Sequence, residues 1–248
     1  MLKLKNLPSL LLPVLMWACS HDTGLHMDLS GEWKFQVDSL DQGIDDRWYD
    51  RELEGKVTLP GSMADNGKGK EISVNTEWTG DIIDKSWFTD EKYARYRVKG
   101  NVKVPFWLQP DKHYIGVAWY QKEIEIPAGW KDKYIELLLE RPHWETQIWV
   151  DDHKAGMQNT LGSEHVYDLT NYLKPGTNLI SIRVDNRIKE VNPGVNSHSI
   201  SDHTQSNWNG IAGKMVLYAK PPVFIKSIRI YPDADNKEVK VRIMFRNI

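Results

Sequence analysis

Cysteine is all but missing from this chain: Cys19 is the one thiol in 248 residues. A disulfide framework is therefore excluded, and thiol-based catalysis or zinc binding has no material beyond that position. An excess of charge is missing as well. The 32 Lys and Arg residues stand against 34 Asp and Glu, for a formal net charge of −2. That balance provides no basic field for nucleic acid and no long-range steering of a charged partner. No long amphipathic helical pattern occurs, and no apolar run is long enough for a stable bilayer span. Phenylalanine is scarce, with 5 residues beside 11 Trp and 10 Tyr. Trp and Tyr carry a polar handle and suit half-exposed surfaces better than Phe does. Two readings of this profile stay open: an aromatic-rich sandwich core, or flat platforms for the C–H faces of sugar rings.

The first 19 residues read as a processing signal. Lys3 and Lys5 form a short basic region, and residues 7–17 an apolar run that ends at Ala18-Cys19. A lone cysteine directly after an export signal is read as the lipidated first residue of a bacterial lipoprotein, so Cys19 is the expected lipidation site. Cleavage without lipid is the alternative. Residues 20–28 are expected to be a linker. The protein is expected to be exported, as a periplasmic or outer-membrane lipoprotein of a bacterium, with membrane contact only through the lipid.

Strands dominate the rest of the chain. Trp33, Phe35 and Val37 alternate with polar neighbours, the period-2 pattern of a half-buried strand. Tyr120, Ile124 and Ile126 share one face of another strand, and residues 134–140 and 146–150 supply two more. Residues 166–173 read as a strand end followed by one helical turn. Lys174-Pro175-Gly176 is a turn in which Pro presets φ and Gly provides a positive φ. Ile180, Ile182 and Val184, then Met215, Leu217 and Ala219, complete the pattern. Strands of this length and spacing predict an all-β jelly-roll sandwich over residues 29–220. After Pro221-Pro222, residues 225–231 and 239–245 predict a hairpin. Two strands cannot bury a sandwich core, so residues 221–248 read as the incomplete start of a second β domain.

Glycoside hydrolysis ordinarily needs two positioned carboxyl groups. Glu123, Glu125, Glu136, Glu140 and Glu145 are available, but the first four alternate with apolar residues on strands and are expected to face solvent. His198, Asp202 and His203 lack the spacing of a zinc site, and no serine sits in a nucleophile elbow. No metal and no cofactor is expected. The irregular segment 65–110 is rich in aromatics, among them Trp78, Trp87 and Trp107, interleaved with Asp, Lys and Arg. It reads either as a sugar-binding surface or as a loop that folds back on its own small core.

Leu29-Ser30-Gly31-Glu32-Trp33-Lys34-Phe35, residues 116–122 and Thr204 through Asn207-Trp208-Asn209-Gly210-Ile211 resemble the opening, central and closing signatures of the sugar-binding domain of glycoside hydrolase family 2. This is the β-galactosidase and β-glucuronidase group. The resemblance implies a galactose-binding-like jelly roll followed by an immunoglobulin-like sandwich, truncated here. It implies a carbohydrate partner of β-linked galactoside or glucuronide type. Asn101, within Asn101-Val102-Lys103-Val104-Pro105, is similar to a pocket Asn of the β-galactosidases. Asp202, Thr204 and Trp208 are the other implied substrate-binding residues. Thr204 stands where members often carry an acidic residue that reaches the sugar. The family's two catalytic carboxylates lie on a TIM barrel, which is expected to be missing from these residues and to be this domain's partner. The expected function is thus the N-terminal sugar-binding portion of an exported β-glycosidase, with no hydrolysis by this chain alone. The alternative is a free-standing glycan-binding surface lipoprotein.

Overall fold

The computed structural model describes residues 25–189, 197–198, 200–202, 204 and 207–248. The export signal with Cys19 lies outside the described residues, as does His203. The strands are, in chain order, β1 (Leu25–Asp28), β2 (Gly31–Asp38), β3 (Gly55–Leu59), β4 (Gly61–Ser62), β5 (Lys70–Glu71) and β6 (Lys112–His113). They continue with β7 (Val117–Ile126), β8 (Tyr134–His143), β9 (Glu145–Val150), β10 (His153–Gln158) and β11 (His165–Asp168). The last four are β12 (Gly176–Asp185), β13 (Gly210–Lys220), β14 (Val223–Asp233) and β15 (Glu238–Asn247).

Two sheets face each other. One runs β1-β13-β8-β11, with β4 attached to β13; the other runs β10-β9-β12-β7-β2-β3. Chain neighbours are often not sheet neighbours, which is the jelly-roll condition. The alternation seen in the sequence explains the core between them. Trp33 and Phe35 from β2, Tyr120 and Ile124 from β7, Leu137 and Leu139 from β8, and Ile180 and Ile182 from β12 all point inward into one buried cluster. Fully burying one such side chain stabilises the fold by about 1.5–3 kcal/mol. β1 falls within the stretch expected as a linker. It pairs antiparallel with β13, from Leu25 opposite Ala219 to Asp28 opposite Val216.

The outer face of the six-stranded sheet is covered locally. Trp119 and Trp149 project from it and are buried with Trp48 and Leu53 of the 39–54 loop. Asp38, at the end of β2, staples this loop: it accepts from the Gln42 and Gly43 amides at 2.9 and 2.8 Å and from the Trp119 indole at 3.0 Å. Tyr49 stacks on Trp149 with ring centroids 5.3 Å apart.

The segment 65–110 folds back on a satellite core of Ile82, Trp87, Val102 and Val104, with Trp78, Tyr93 and Phe106 against it. Most of its aromatics are thus structural; Trp107, at 87% exposure, and the less exposed Phe88 are the outlying ones. β14 and β15 pair only with each other. Their ties to the sandwich include the Arg246–Asp168 ion pair at 2.5 Å and Phe224 against Tyr134 at 4.9 Å.

Candidate functional site

The loop before β13 is held by a buried carboxylate. Asp202 has no solvent exposure. Its Oδ2 accepts from the backbone N–H and the hydroxyl of Thr79, both at 2.5 Å, and its Oδ1 accepts from the Asn207 amide at 2.9 Å. The clamp therefore ties the irregular segment to the closing loop. Thr204 donates its hydroxyl to the His198 carbonyl at 2.9 Å. Three buried asparagines fix the next residues. Asn186 donates to Asn207 Oδ1 at 3.0 Å, while Asn207 donates to the Asn186 carbonyl at 3.1 Å. Asn209 accepts from the Tyr120 hydroxyl at 2.8 Å and donates to the Gly116 and Val184 carbonyls. Each amide uses its donor and acceptor together, which is what a buried polar side chain requires.

These bonds aim Trp208, which is half-buried between them. Its ring stacks on His143 of β8 at 4.9 Å and 30°. It also forms a wall of a cavity of about 640 Å³ whose other walls include Ser62, Asp65, Gln109, Pro110 and Asp111. Asp65 accepts from the Ser62 amide and hydroxyl at 2.9 and 2.8 Å. Gln109 is pinned at both ends of its amide, accepting from the Val104 amide at 2.8 Å and donating to the Val102 carbonyl at 2.9 Å. Burial pushes the His143 ring down to about 4. Its Nδ1 has no hydrogen-bond partner, nor has Nε2 of the buried His113. His113 is also pushed down by burial, against the pull of the Asp202 charge.

The structure brings Asp202, Thr204 and Trp208 into one loop. Asn101 does not line the cavity. It is exposed and donates its side-chain amide to the Arg95 carbonyl at 2.7 Å. It is joined to the cavity wall through Gln109, which bonds the backbone just after it. Asp65, Asp111 and His143 were not singled out from the sequence. Asp65 carries a local signal in Ser62-x-x-Asp65, a side-chain-capped turn. His143 and Asp111 reach the site only through tertiary packing.

Buried carboxylates do occur, away from this cavity. Glu145, the one of the five candidate acids not expected to face solvent, is buried, and so is Asp185. Arg183 meets Glu145 at 3.1 Å and Asp41 at 2.6 Å, and Lys189 meets Glu145 at 2.8 Å and Asp185 at 2.9 Å. Burial alone would raise the Asp185 carboxyl, but the bonds from Arg187 and Lys189 outweigh it and hold the group far below the ordinary range. A general acid for glycoside cleavage needs the opposite shift. Among the described residues no cluster of His, Cys, Asp and Glu could hold a metal ion, and no helix is long and apolar enough to cross a membrane.

An all-β sandwich whose loop end presents an indole to an open cavity has the construction of a carbohydrate-binding domain. The chain belongs to glycosyl hydrolases family 2: the model of the family's sugar binding domain matches residues 81–221, which include Asn101, Asp202, Thr204 and Trp208. It corresponds to the N-terminal portion of these larger enzymes. The fold matches a solved β-glucuronidase of Ruminococcus gnavus with a TM-score of 0.61 at 18% identity, covering 92% of this chain and 34% of that one. A β-glucuronidase of an uncultured Clostridium matches with a TM-score of 0.58 at 18% identity, covering 91% and 34%. The β-galactosidase of Priestia megaterium is 23% identical over 169 residues, which is 68% of this chain and 15% of that protein. The chain thus spans about a third of the solved enzymes and less of the curated one.

Proposed function

We propose that this domain binds the glycone or a neighbouring sugar of a β-linked galactoside- or glucuronide-type substrate for an exported β-glycosidase, in the cavity walled by Trp208. The observation that carries this reading is the Trp208 ring itself. It is locked from behind by His143 and faces open space rimmed by Ser62, Asp65 and Asp111. An immobilised indole offers a flat apolar face to sugar C–H groups at little entropic cost, and the rim offers oxygens to hydroxyls.

Asp202 and Thr204 act through the loop: they set where Trp208 points. Asn101 contributes from the adjoining segment, its Oδ1 remaining able to accept from a sugar hydroxyl while its amide nitrogen serves Arg95. The chemistry belongs to carboxylates on the catalytic barrel of the same enzyme, which this domain adjoins. Lipidation at Cys19 would hold the assembly at a bacterial membrane surface facing exported glycans.

Ligand-observed NMR with simple β-glycosides tests the reading. The chain should show binding that Trp208→Ala abolishes, while circular dichroism shows that the variant keeps its sheets. Binding that survives Trp208→Ala would move the sugar elsewhere.

A further inference from the structure

We propose that Asp65 and Asp111 make the Trp208 cavity prefer uncharged glycosides over hexuronides; this rests on the reading of that cavity as a sugar site. Two carboxylates line it together with the indole, and among the described residues neither Lys nor Arg does. The acids alone would be a solvated rim. An aromatic wall on the same cavity is what turns them toward a ligand.

Two lysines, Lys68 and Lys112, line a small adjoining pocket that shares Trp208 with this cavity, and neither lines the cavity itself. Lys112, next to Asp111 in sequence, pairs with Glu71. Lys68 lies over the Phe35 ring, 5.9 Å from its centre. Arg141 is nearest to Glu140, at 3.8 Å. His143, behind the indole, is uncharged near neutral pH because burial holds its ring down. Gln109 gives one of its two amide hydrogens to the Val102 carbonyl and so offers a single neutral donor. What the rim presents is therefore mainly acceptors. Asp65 uses one oxygen on Ser62 and keeps the other. Asp111 is exposed. Sugar hydroxyls can donate to such oxygens, and vicinal hydroxyls can bridge one carboxylate. A uronate carboxylate brings another acceptor and a like charge. At a separation of about 6 Å in a water-like medium, each Asp weakens binding of a unit anion roughly threefold, so the two together give about tenfold.

Ligand-observed NMR at low ionic strength, with methyl β-galactoside and methyl β-glucuronide as probes, decides this. The glucuronide should bind about tenfold more weakly, and the gap should narrow as salt screens the charges. The Asp65→Asn/Asp111→Asn double variant keeps the acceptor oxygens and should close the gap. Because both side chains are exposed, its melting temperature should stay close to that of the unaltered chain. Equal or tighter glucuronide binding overturns the proposal. So does a gap that persists in the double variant. Failure of both probes to bind removes the cavity as a sugar site altogether, an outcome distinct from binding without discrimination.

Discussion

Asp202 is a carboxylate with no exposure that meets no cation among the described residues; it is satisfied by a hydroxyl and two backbone amides. Removing it strands the Thr79 and Asn207 amides in a dry place. Asp202→Ala should destabilise the chain by about 2–3 kcal/mol, because hydrogen bonds to a charged group are worth more than neutral ones. Urea unfolding with an unchanged m-value would measure this, and a loss under about 0.5 kcal/mol would show that water replaces the clamp. His143 makes a second prediction. Its folded-state ring sits near 4, below the ordinary 6.5. The unfolded chain therefore binds the proton first as pH falls. Stability is intact above about pH 6.5 and declines between there and about pH 4, by on the order of 3 kcal/mol for this ring. Burial acts in the same direction on His113 and His165. His143→Phe keeps a ring against Trp208 and should make the profile shallower in that window; superimposable profiles would mean that His143 does not titrate there. The sequence pointed to Asp202 and Trp208 because they stand in a local motif. It could not point to Thr79 or His143, whose roles depend on residues far away in the chain.

Among the elements, the strands with period-2 apolar faces were legible, since a strand buried on one face writes that burial into alternate residues. β2, β7, β8 and β12 obey it, with Trp33, Tyr120, Leu137 and Ile182 inward. β10 was not legible: His153–Gln158 has only Ala155 and Met157 as an apolar pair, and it forms an edge, paired with β9 alone. The two-residue β5 and β6 are too short to carry a period at all. The aromatics of the 65–110 segment allowed two outcomes because composition does not say which rings turn inward; Trp87 did and Trp107 did not. The β14–β15 hairpin was legible, and among the described residues it pairs with no other strand. Ile228, Ile230, Val241 and Phe245 are all exposed. Two strands without a covering layer are marginally stable. Hydrogen exchange on this chain should find the amides of β14 and β15 far less protected than those of β8 and β12. Equal protection would mean that the hairpin is covered in solution.

At the scale of the molecule, two sheets make one core, and the site lies at one end of it, where β4, β8 and β13 meet the irregular segment. The Arg246–Asp168 pair that joins the hairpin to this body is more than a third exposed on both sides. Such a pair contributes at most about 1 kcal/mol, so Arg246→Ala should leave the melting temperature of the sandwich within a few degrees while releasing the hairpin further. The Thr79–Asp202 clamp has a consequence of another kind, for the order in which the molecule assembles. Its partners are 123 residues apart. Contour length alone is a small obstacle, since each doubling of a loop adds only about 0.6 kcal/mol of closure entropy. The greater obstacle is that neither end has a fixed place until β13 has docked on β8, itself a distant pairing. Refolding should therefore restore strand circular dichroism first and sugar binding afterwards, leaving an interval in which the chain has its sheets but not yet its binding cavity.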